Sequence, residues 1–472
     1  MTAHATGGLR GQYGSMESIL TPEEMAAVDA GAPEPLGELI RRAGAAVARA
    51  AVEMLGGSYA KRVVVVVGKG NNGADGRDAA RRLEARGVRC QVVEADAAPD
   101  ALPAVDLVID AAYGTGFRGS YTSPRPPADV AVLAVDIASG IDGLTGSASG
   151  RPLRADRTVT FAAFKPGLLL ADGAGCSGRV DVADIGLDVS SARAHLVDSE
   201  AVRAWLPDRA VDTHKWRSAV RIIAGSPGMT GAAHLAAAAA QRGGAGYVRL
   251  STPGSDTDPF APVECVVTPL GLEGWAAVEL DGDLDRFGAV AVGPGLGRGP
   301  EVAEQVRRLV GAASSSTVVD GDGLTALGLQ AAEVIAGRPD GGAAVVLTPH
   351  EGEFESLTGF RPGADRFASV RELAARTGAI VALKGPLTLV ANPAGGVLAV
   401  SSGDERLATA GTGDVLTGII VALLARGMPP WEAAAAGAHL HGLSGVLACR
   451  NGLVASDLIT QLPNAFTELQ GA

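Results

Sequence analysis

Apolar residues along this chain fall into two recurring patterns. One is a short β-branched run that ends in a glycine-rich turn. The other is a longer amphipathic stretch at helical spacing. Residues 22–55 carry a helical pattern, opened by Thr21-Pro22-Glu23-Glu24 and broken around Ala32-Pro33-Glu34-Pro35. Arg62-Val63-Val64-Val65-Val66-Val67 follows without alternation, which predicts a strand buried on both faces. A helix over 76–86 and strands over 89–94, 107–110 and 130–136 continue the series. Near 201–216 the rhythm changes, and Trp205-Leu206-Pro207-Asp208-Arg209 closes the first unit. A second series starts with a strand at 220–223. Further strands are expected near 246–250, 289–292, 316–320, 344–347, 380–383 and 388–391, with alanine-rich helices between them. Strands alternating with helices predict parallel sheets. The expected fold class is α/β in two αβα domains, 16–207 and 208–472. Residues 1–15 are expected to be disordered, with Met16 as the natural start.

Composition narrows the partners. The 472 residues fit two or three domains at ~100–200 residues each. A formal net charge of −12 opposes a nucleic-acid partner, which needs a basic face. Cofactor phosphates remain compatible, because local lysines and backbone amides suffice. Cys90, Cys176, Cys265 and Cys449 are scattered with no CxxC spacing, so reduced thiols in a cytoplasmic chain are expected. No apolar run approaches a bilayer-spanning length, and no membrane partner is expected.

The chemistry sits in the turns. Gly68-Lys69-Gly70-Asn71-Asn72-Gly73 follows a strand and opens a helix, which is a dinucleotide-type, Rossmann-like signature. Glu94 ends the next strand, where such a fold places its ribose-binding acid. Asn71, Asn72 and Asp75 add polar groups that pyrophosphate binding alone does not need, and Asn72 offers a hard oxygen to a cation. Two more strand-end loops carry aspartates before glycines: Asp110-Ala111-Ala112-Tyr113-Gly114-Thr115-Gly116 and Asp136-Ile137-Ala138-Ser139-Gly140. Either aspartate alone reads as a loop cap, but three such loops together predict a pocket. Lys165 lies within reach of an anion or a proton transfer.

The strings G-x-G-N-N-G-x-D-G, D-x-x-x-G-T-G, V-D-I-x-S-G-I-D and T-x-T-F-x-x-x-K occur here in order. Together they resemble the NAD(P)H-hydrate epimerase family over residues 16–205. The resemblance implies a potassium ion held by Asn72, Asp110 and Ser139. It also implies that hydrated NAD(P)H touches Asn71, Asn72, Gly73, Ala74 and Asp75, then Gly114, Thr115, Gly116, Phe117, Arg118, Gly119 and Ser120, and Asp136. Asp136 and Lys165 are the candidates for proton handling. Ala74 stands where that family has glycine, which fits only if φ there is negative, and Ala138 stands where it has proline.

In the second half, Gly411-Thr412-Gly413-Asp414 precedes an apolar helix expected over 415–426. A helix start presents free N–H groups and a positive dipole end, so this turn predicts an anion hole beside a carboxylate kept ionised. Gly293-Pro294-Gly295-Leu296-Gly297, Asp320-Gly321-Asp322, Thr348-Pro349-His350-Glu351-Gly352-Glu353 and Lys384-Gly385-Pro386-Leu387-Thr388 lie at other strand ends. His350 reads equally well as a helix cap, and Asp320, Asp322 and Lys384 singly read as solvated turn residues. No Walker A pattern is present.

This set, with Gly225 to Ala232 and G-A-G-Y-V, resembles the ADP- or ATP-dependent NAD(P)H-hydrate dehydratases of the ribokinase-like superfamily over 210–465. The resemblance implies that Ala232, Gly295, Gly297, His350 and Asp414 contact the hydrated nucleotide. It implies that Lys384, Gly385, Pro386, Leu387, Thr388, Gly411, Thr412 and Gly413 hold ADP or ATP with Mg2+. Asp414 would take the proton of the C6 hydroxyl as it attacks the terminal phosphoryl group, with phosphate then eliminated. A homo-oligomer, a tetramer, is the expected assembly. Rival readings are a vitamin or sugar kinase, a nicotinamide-dependent oxidoreductase built on Gly68 to Gly73, and a ligand-sensing module on a kinase.

Overall fold

The computed structural model describes residues 16–209, 211–339 and 343–471, so the segment 1–15 lies outside the described residues. The chain divides into two compact units, the first ending at His195 and the second beginning at Leu196. This is earlier than the boundary expected at 207/208. The helix Ser199–Trp205 packs with the second unit, where Ser199 bonds His439 Nε2 at 3.0 Å.

In the first unit, Thr21 and Glu24 form a reciprocal capping box that starts α1 (Pro22–Ala30), as the sequence pattern required. Next come α2 (Leu36–Leu55), β1 (Arg62–Val67), α3 (Asn71–Glu84), β2 (Arg89–Glu94), β3 (Leu107–Ala111), β4 (Ala131–Val135), β5 (Arg157–Phe161) and β6 (Arg179–Ala183). The six strands pair in the order β2-β1-β3-β4-β5-β6, all parallel. Val63 to Val67 of β1 are at most 1% exposed. Burying a valine is worth ~1.5–3 kcal/mol, which makes this run the anchor of the sheet. Val47 and Ala51 of α2 join the same core as Ala79 and Leu83 of α3. The order reverses at β1, which leaves a crevice at the carboxyl ends of β1 and β3. α3 begins at Asn71, ahead of the expected 76, so Ala74 sits inside a helix, bonded from its N–H to the Gly70 carbonyl at 3.1 Å. It is not among the residues of positive φ, and alanine fits there.

The second unit contains β7 (Ala219–Ile223), β8 (Tyr247–Ser251), β9 (Val266–Val267), β10 (Ala289–Val292), β11 (Ser316–Val319), β12 (Val345–Leu347), β13 (Ile380–Leu383), β14 (Thr388–Ala391) and β15 (Val397–Val400). Their order is β15-β14-β13-β12-β11-β10-β7-β8-β9. The strands from β13 through to β9 are parallel, while β14 and β15 are antiparallel additions. The helices that carry site residues are α4 (Gly231–Arg242), α5 (Glu351–Thr358), α6 (Arg366–Thr377), α7 (Thr412–Ala425) and α8 (Pro430–Leu447). Gly418 lets α7 lie directly on α4, because a Cβ there would fall 2.2 Å from the Ala236 carbonyl oxygen. Among the described residues, no helix is long and apolar enough to cross a membrane.

One polar group is built into the central sheet. Arg221 on β7 is 1% exposed and pairs with Glu279, Nε to Oε2 at 2.7 Å. It also donates to Ser251 Oγ at 2.9 Å. Glu279→Ala leaves that guanidinium buried without its counter-charge. We expect a loss of about 3–5 kcal/mol in urea unfolding of the second unit; a loss under about 0.5 kcal/mol, the size of an ordinary surface change, would refute this account.

Candidate active sites

In the first unit, Asn71, Asn72, Asp75, Gly114, Thr115, Gly116, Phe117, Arg118, Asp136 and Lys165 all line one cavity of about 970 Å3. This lies within the ~300–1,000 Å3 range of small-molecule sites. Gly73, Ala74, Gly119 and Ser120 are not part of the lining. Gly73 serves the fold, since a Cβ there would strike the Gly68 carbonyl oxygen at 2.0 Å. α1 and α2 supply the opposite wall through Met25, Asp29 and Leu39. Sequence reasoning missed Asp29, whose only signal was its place in the helix just before the break at 32–35.

Asp136 follows β4 with φ +67, a left-handed conformation that costs a non-glycine residue free energy and marks a strained, functional turn. Lys165, 2% exposed, fixes it: Nζ donates to Asp136 Oδ1 at 2.6 Å, to Thr160 Oγ1 at 2.8 Å and to the Phe161 carbonyl at 3.0 Å. All three ammonium protons are therefore engaged, and Lys165 acts first as the holder of Asp136. Burial, reinforced by Asp136, Asp78 and Asp29, pushes Asp75 up to about 8, so it carries a proton at neutral pH. Burial likewise raises Asp29, against the pull of Lys165.

Beneath the cavity, Asp110 is 1% exposed. Its oxygens accept from Ser139 Oγ at 2.6 Å and from Ser139 N at 2.9 Å. Burial raises its pKa over the effect of those bonds. Asn72 Oδ1 and Nδ2 are buried with no hydrogen-bond partner. Glu94, the acid that an oxidoreductase would turn to ribose, is held bidentately by Arg77 at 2.7 Å to each oxygen. The pair is exposed, and it engages the acid that such a fold would turn to ribose.

In the second unit the expected loops converge at the carboxyl edge. Gly411 caps α7 with φ +90, so Thr412, Gly413 and Asp414 form its first turn instead of preceding it. His441 Nε2 lies 2.9 Å from the Thr412 carbonyl and tethers this turn to α8. Asp320, 3% exposed, accepts from Lys384 Nζ at 2.8 Å and from Thr417 Oγ1 at 2.7 Å. Lys384 also lies 3.5 Å from Glu353 Oε2. Burial opposes both charges, yet the pair prevails: Asp320 is held below the usual carboxylate range and Lys384 above the usual lysine range. Gly413 lies beside Lys384, whose Nζ would be in ordinary contact, 3.5 Å, with a Cβ there.

Burial and the nearby Asp320 raise Asp414 to about 6, with Lys384 pulling the other way. The helix start was expected to keep this carboxylate ionised and able to take a proton. Low dielectric and neighbouring acids outweigh it, and the result is a stronger base that is still mainly ionised near neutrality. His350 is the N-cap of α5, its Nδ1 accepting from Gly352 N at 2.9 Å, and its ring stays largely exposed. Ala232 and Gly295 face each other, a Cβ at Gly295 lying 3.1 Å from that of Ala232. The Gly297 amide, expected to face a ligand, donates to Asp322 Oδ2 at 2.9 Å. Thr417, one turn past Asp414, went unnoticed in the sequence although its spacing places it on the same helix face.

Similarity to known proteins identifies the family. A family model described as NAD(P)H-hydrate dehydratase matches residues 220–467, and one described as YjeF-related protein N-terminus matches 36–100 and 92–167. The bifunctional NAD(P)H-hydrate repair enzyme Nnr of Moorella thermoacetica is 35% identical, over 87% of this chain and 88% of its own. The chain belongs to this family of bifunctional repair enzymes. The Escherichia coli K12 member is 32% identical over 90% of this chain and 89% of its own. Among solved structures, the Bacillus subtilis ADP/ATP-dependent NAD(P)H-hydrate dehydratase, co-crystallised with ATP/Mg2+, is similar with TM-score 0.50 and 30% identity. It covers 58% of this chain and 97% of its own.

Asp75 gives this repair enzyme a testable pH signature. Its carboxyl loses a proton near 3.8 when unfolded and near 8 when folded. Between those values the folded state holds the extra proton, so stability is highest at the acid end and falls as pH rises. Thermal midpoints of the first unit should decline from pH 4 towards pH 8, and Asp75→Asn should make that decline shallower, with Asp110 and Asp29 supplying the remainder; an unchanged slope would contradict a buried, protonated Asp75.

Proposed function

We propose that this chain repairs hydrated NAD(P)H with two activities. The first unit interconverts the R and S forms, and the second removes water from the S form with ADP as the phosphoryl donor. The observation that carries the reading is Asp414, a half-buried base on the first turn of α7, beside the buried Asp320–Lys384 pair.

Hydroxide is a poor leaving group near neutral pH, so the C6 hydroxyl needs activation. Asp414 accepts its proton as the oxygen attacks the terminal phosphorus of ADP. The amides at the start of α7 face the charge that develops on the phosphoryl oxygens, a positioning and electrostatic role. The O–P bond forms and the ADP bridging O–P bond breaks, releasing AMP. The ring nitrogen's electron pair then expels the phosphate, and loss of a ring proton restores NAD(P)H. A magnesium ion travelling with the nucleotide would offset phosphate charge; the described residues form no cluster of three acids, histidines or cysteines, so the nucleotide's own phosphates would hold it.

In the first unit, Asp136, clamped by Lys165, is the group placed to handle a proton at the reacting ring, and Asp75 is a neutral acid in the same cavity. The unpartnered oxygen of Asn72 and the buried Asp110–Ser139 pair fit a potassium ion, which would supply a positive charge for a substrate phosphate. The free thiols of Cys90, Cys176, Cys265 and Cys449 suit a reducing cytoplasm. A homotetramer is the assembly we assign.

The decisive experiment follows NAD(P)H absorbance with mixed hydrate isomers and ADP. Wild-type protein should convert both isomers, and Asp136→Asn should stop once the S isomer is consumed. Asp414→Ala should cut dehydration by ~10²–10⁴-fold with folding intact. The dehydration rate should fall below about pH 6, where Asp414 becomes protonated. Near-normal turnover in Asp414→Ala, or accumulation of a phosphorylated product, would overturn the assignment in favour of a kinase.

A further inference from the structure

The cradle proposed for the adenine nucleotide is short of free positive charge. Lys384 is already committed to Asp320 at 2.8 Å and approaches Glu353 at 3.5 Å, and Asp414 adds another acid. A nucleoside diphosphate brings further negative charge onto that surface. Next to the K-G-P loop stands a guanidinium with a donor left over. Arg366 begins α6 with 18% of its side chain exposed, and its Nη1 pairs with Glu351 from the T-P-H-E-G-E turn. Its Nη2 is buried and has no hydrogen-bond partner. That atom lies against Gly385, where a Cβ would sit 3.1 Å from it.

A buried guanidinium N–H without an acceptor has given up its water bonds for nothing, so native structures rarely leave one so. The planar fork of arginine matches two phosphate oxygens better than any other side chain. Gly385 and Pro386 are exposed, and Gly385 has no side chain to anchor it, so only a thin, movable strip of backbone separates Nη2 from solvent. Glu351 holds one arm of the fork, which leaves the other aimed at the loop.

We propose that Arg366 is a further nucleotide-binding residue, its unpartnered Nη2 donating to a phosphate oxygen of the adenine nucleotide once the Gly385–Pro386 segment moves aside. The proposal rests on the nucleotide reading of this cradle. A purely structural strut predicts the opposite balance: loss of stability in the free protein, with affinity unaffected in whatever folds.

Calorimetric titration of the full chain with Mg·ADP, and separately with NADPH, tests it. Arg366→Gln should weaken Mg·ADP at least tenfold and leave NADPH within twofold. Arg366→Lys, which keeps charge but not the fork, should fall between wild type and Arg366→Gln. The thermal midpoint without nucleotide should stay level or rise, because a buried orphan donor has been removed. Unchanged Mg·ADP affinity in Arg366→Gln, or a loss confined to NADPH, would overturn the role. Should Arg366→Gln fail to fold, Arg366→Lys decides by the same two titrations. Wild-type protein that binds no Mg·ADP at all would instead sink the nucleotide reading itself.

Discussion

A lysine locked to an aspartate at the carboxyl edge of a parallel sheet, one partner buried and the other half-buried, is the constraint on which each unit depends. Neither ion could stay there alone, since desolvating either costs several kcal/mol. In the second unit Asp320 meets both Lys384 and Thr417, so its lone pairs are satisfied and the charge is tolerable. In the first, Lys165 is used up on Asp136, Thr160 and the Phe161 carbonyl. Each pair ties together chain segments distant in sequence and so sets the geometry of the surrounding turns. The pairs also shape the chemistry. Burial and the acids Asp320, Glu353 and Asp322 raise the affinity of Asp414 for protons, and Lys384 only partly offsets them.

Backbone closeness does the rest. Gly293 holds φ +128, with its Cα so near β11 that a Cβ would lie 2.0 Å from the Asp320 carbonyl oxygen. That contact locks the G-P-G-L-G turn onto the strand that bears Asp320. Gly418 does the same for α7 against α4, and thereby settles where the first turn of α7 points. The position of that first turn is thus a consequence of helix packing as much as of its own loop.

Much of this was legible from the chain. Unbroken valines marked β1, and strand-end glycines marked the cavity of the first unit and the turns at the carboxyl edge of the second, because buried parallel strands and tight turns leave strong local signals. Weaker features stayed hidden for physical reasons. β6, a half-buried edge strand, mixes arginine and aspartate with valine, and β5 is buried but carries threonines whose hydroxyls bond the Ser177 carbonyl and Asp136. The boundary was placed late because Trp205-Leu206-Pro207 looks like an ending, while the helix before it belongs to the second unit through Ser199 and His439. The start of α7 was set three residues late, since glycines argue against helix although a first turn tolerates them. Asp29, Thr417 and Arg366 act through contacts across the fold, and no local pattern announces such contacts.

The two sites turn one cause to different ends. Burial raises both Asp75 and Asp414, yet the outcomes straddle neutrality: about 8 for the first and about 6 for the second. The difference lies in the neighbours. Asp75 feels Asp136, Asp78 and Asp29 with no cation among its main influences, whereas Lys384 draws Asp414 back down. Near pH 7 the chain therefore presents a carboxylic acid in one cavity and a carboxylate in the other. An epimerisation that must loosen a hydroxyl gains from a proton donor, and a dehydration that begins by deprotonating a hydroxyl needs an acceptor. Under the proposed assignment, the window between those two values is the pH range in which both steps run in one solution.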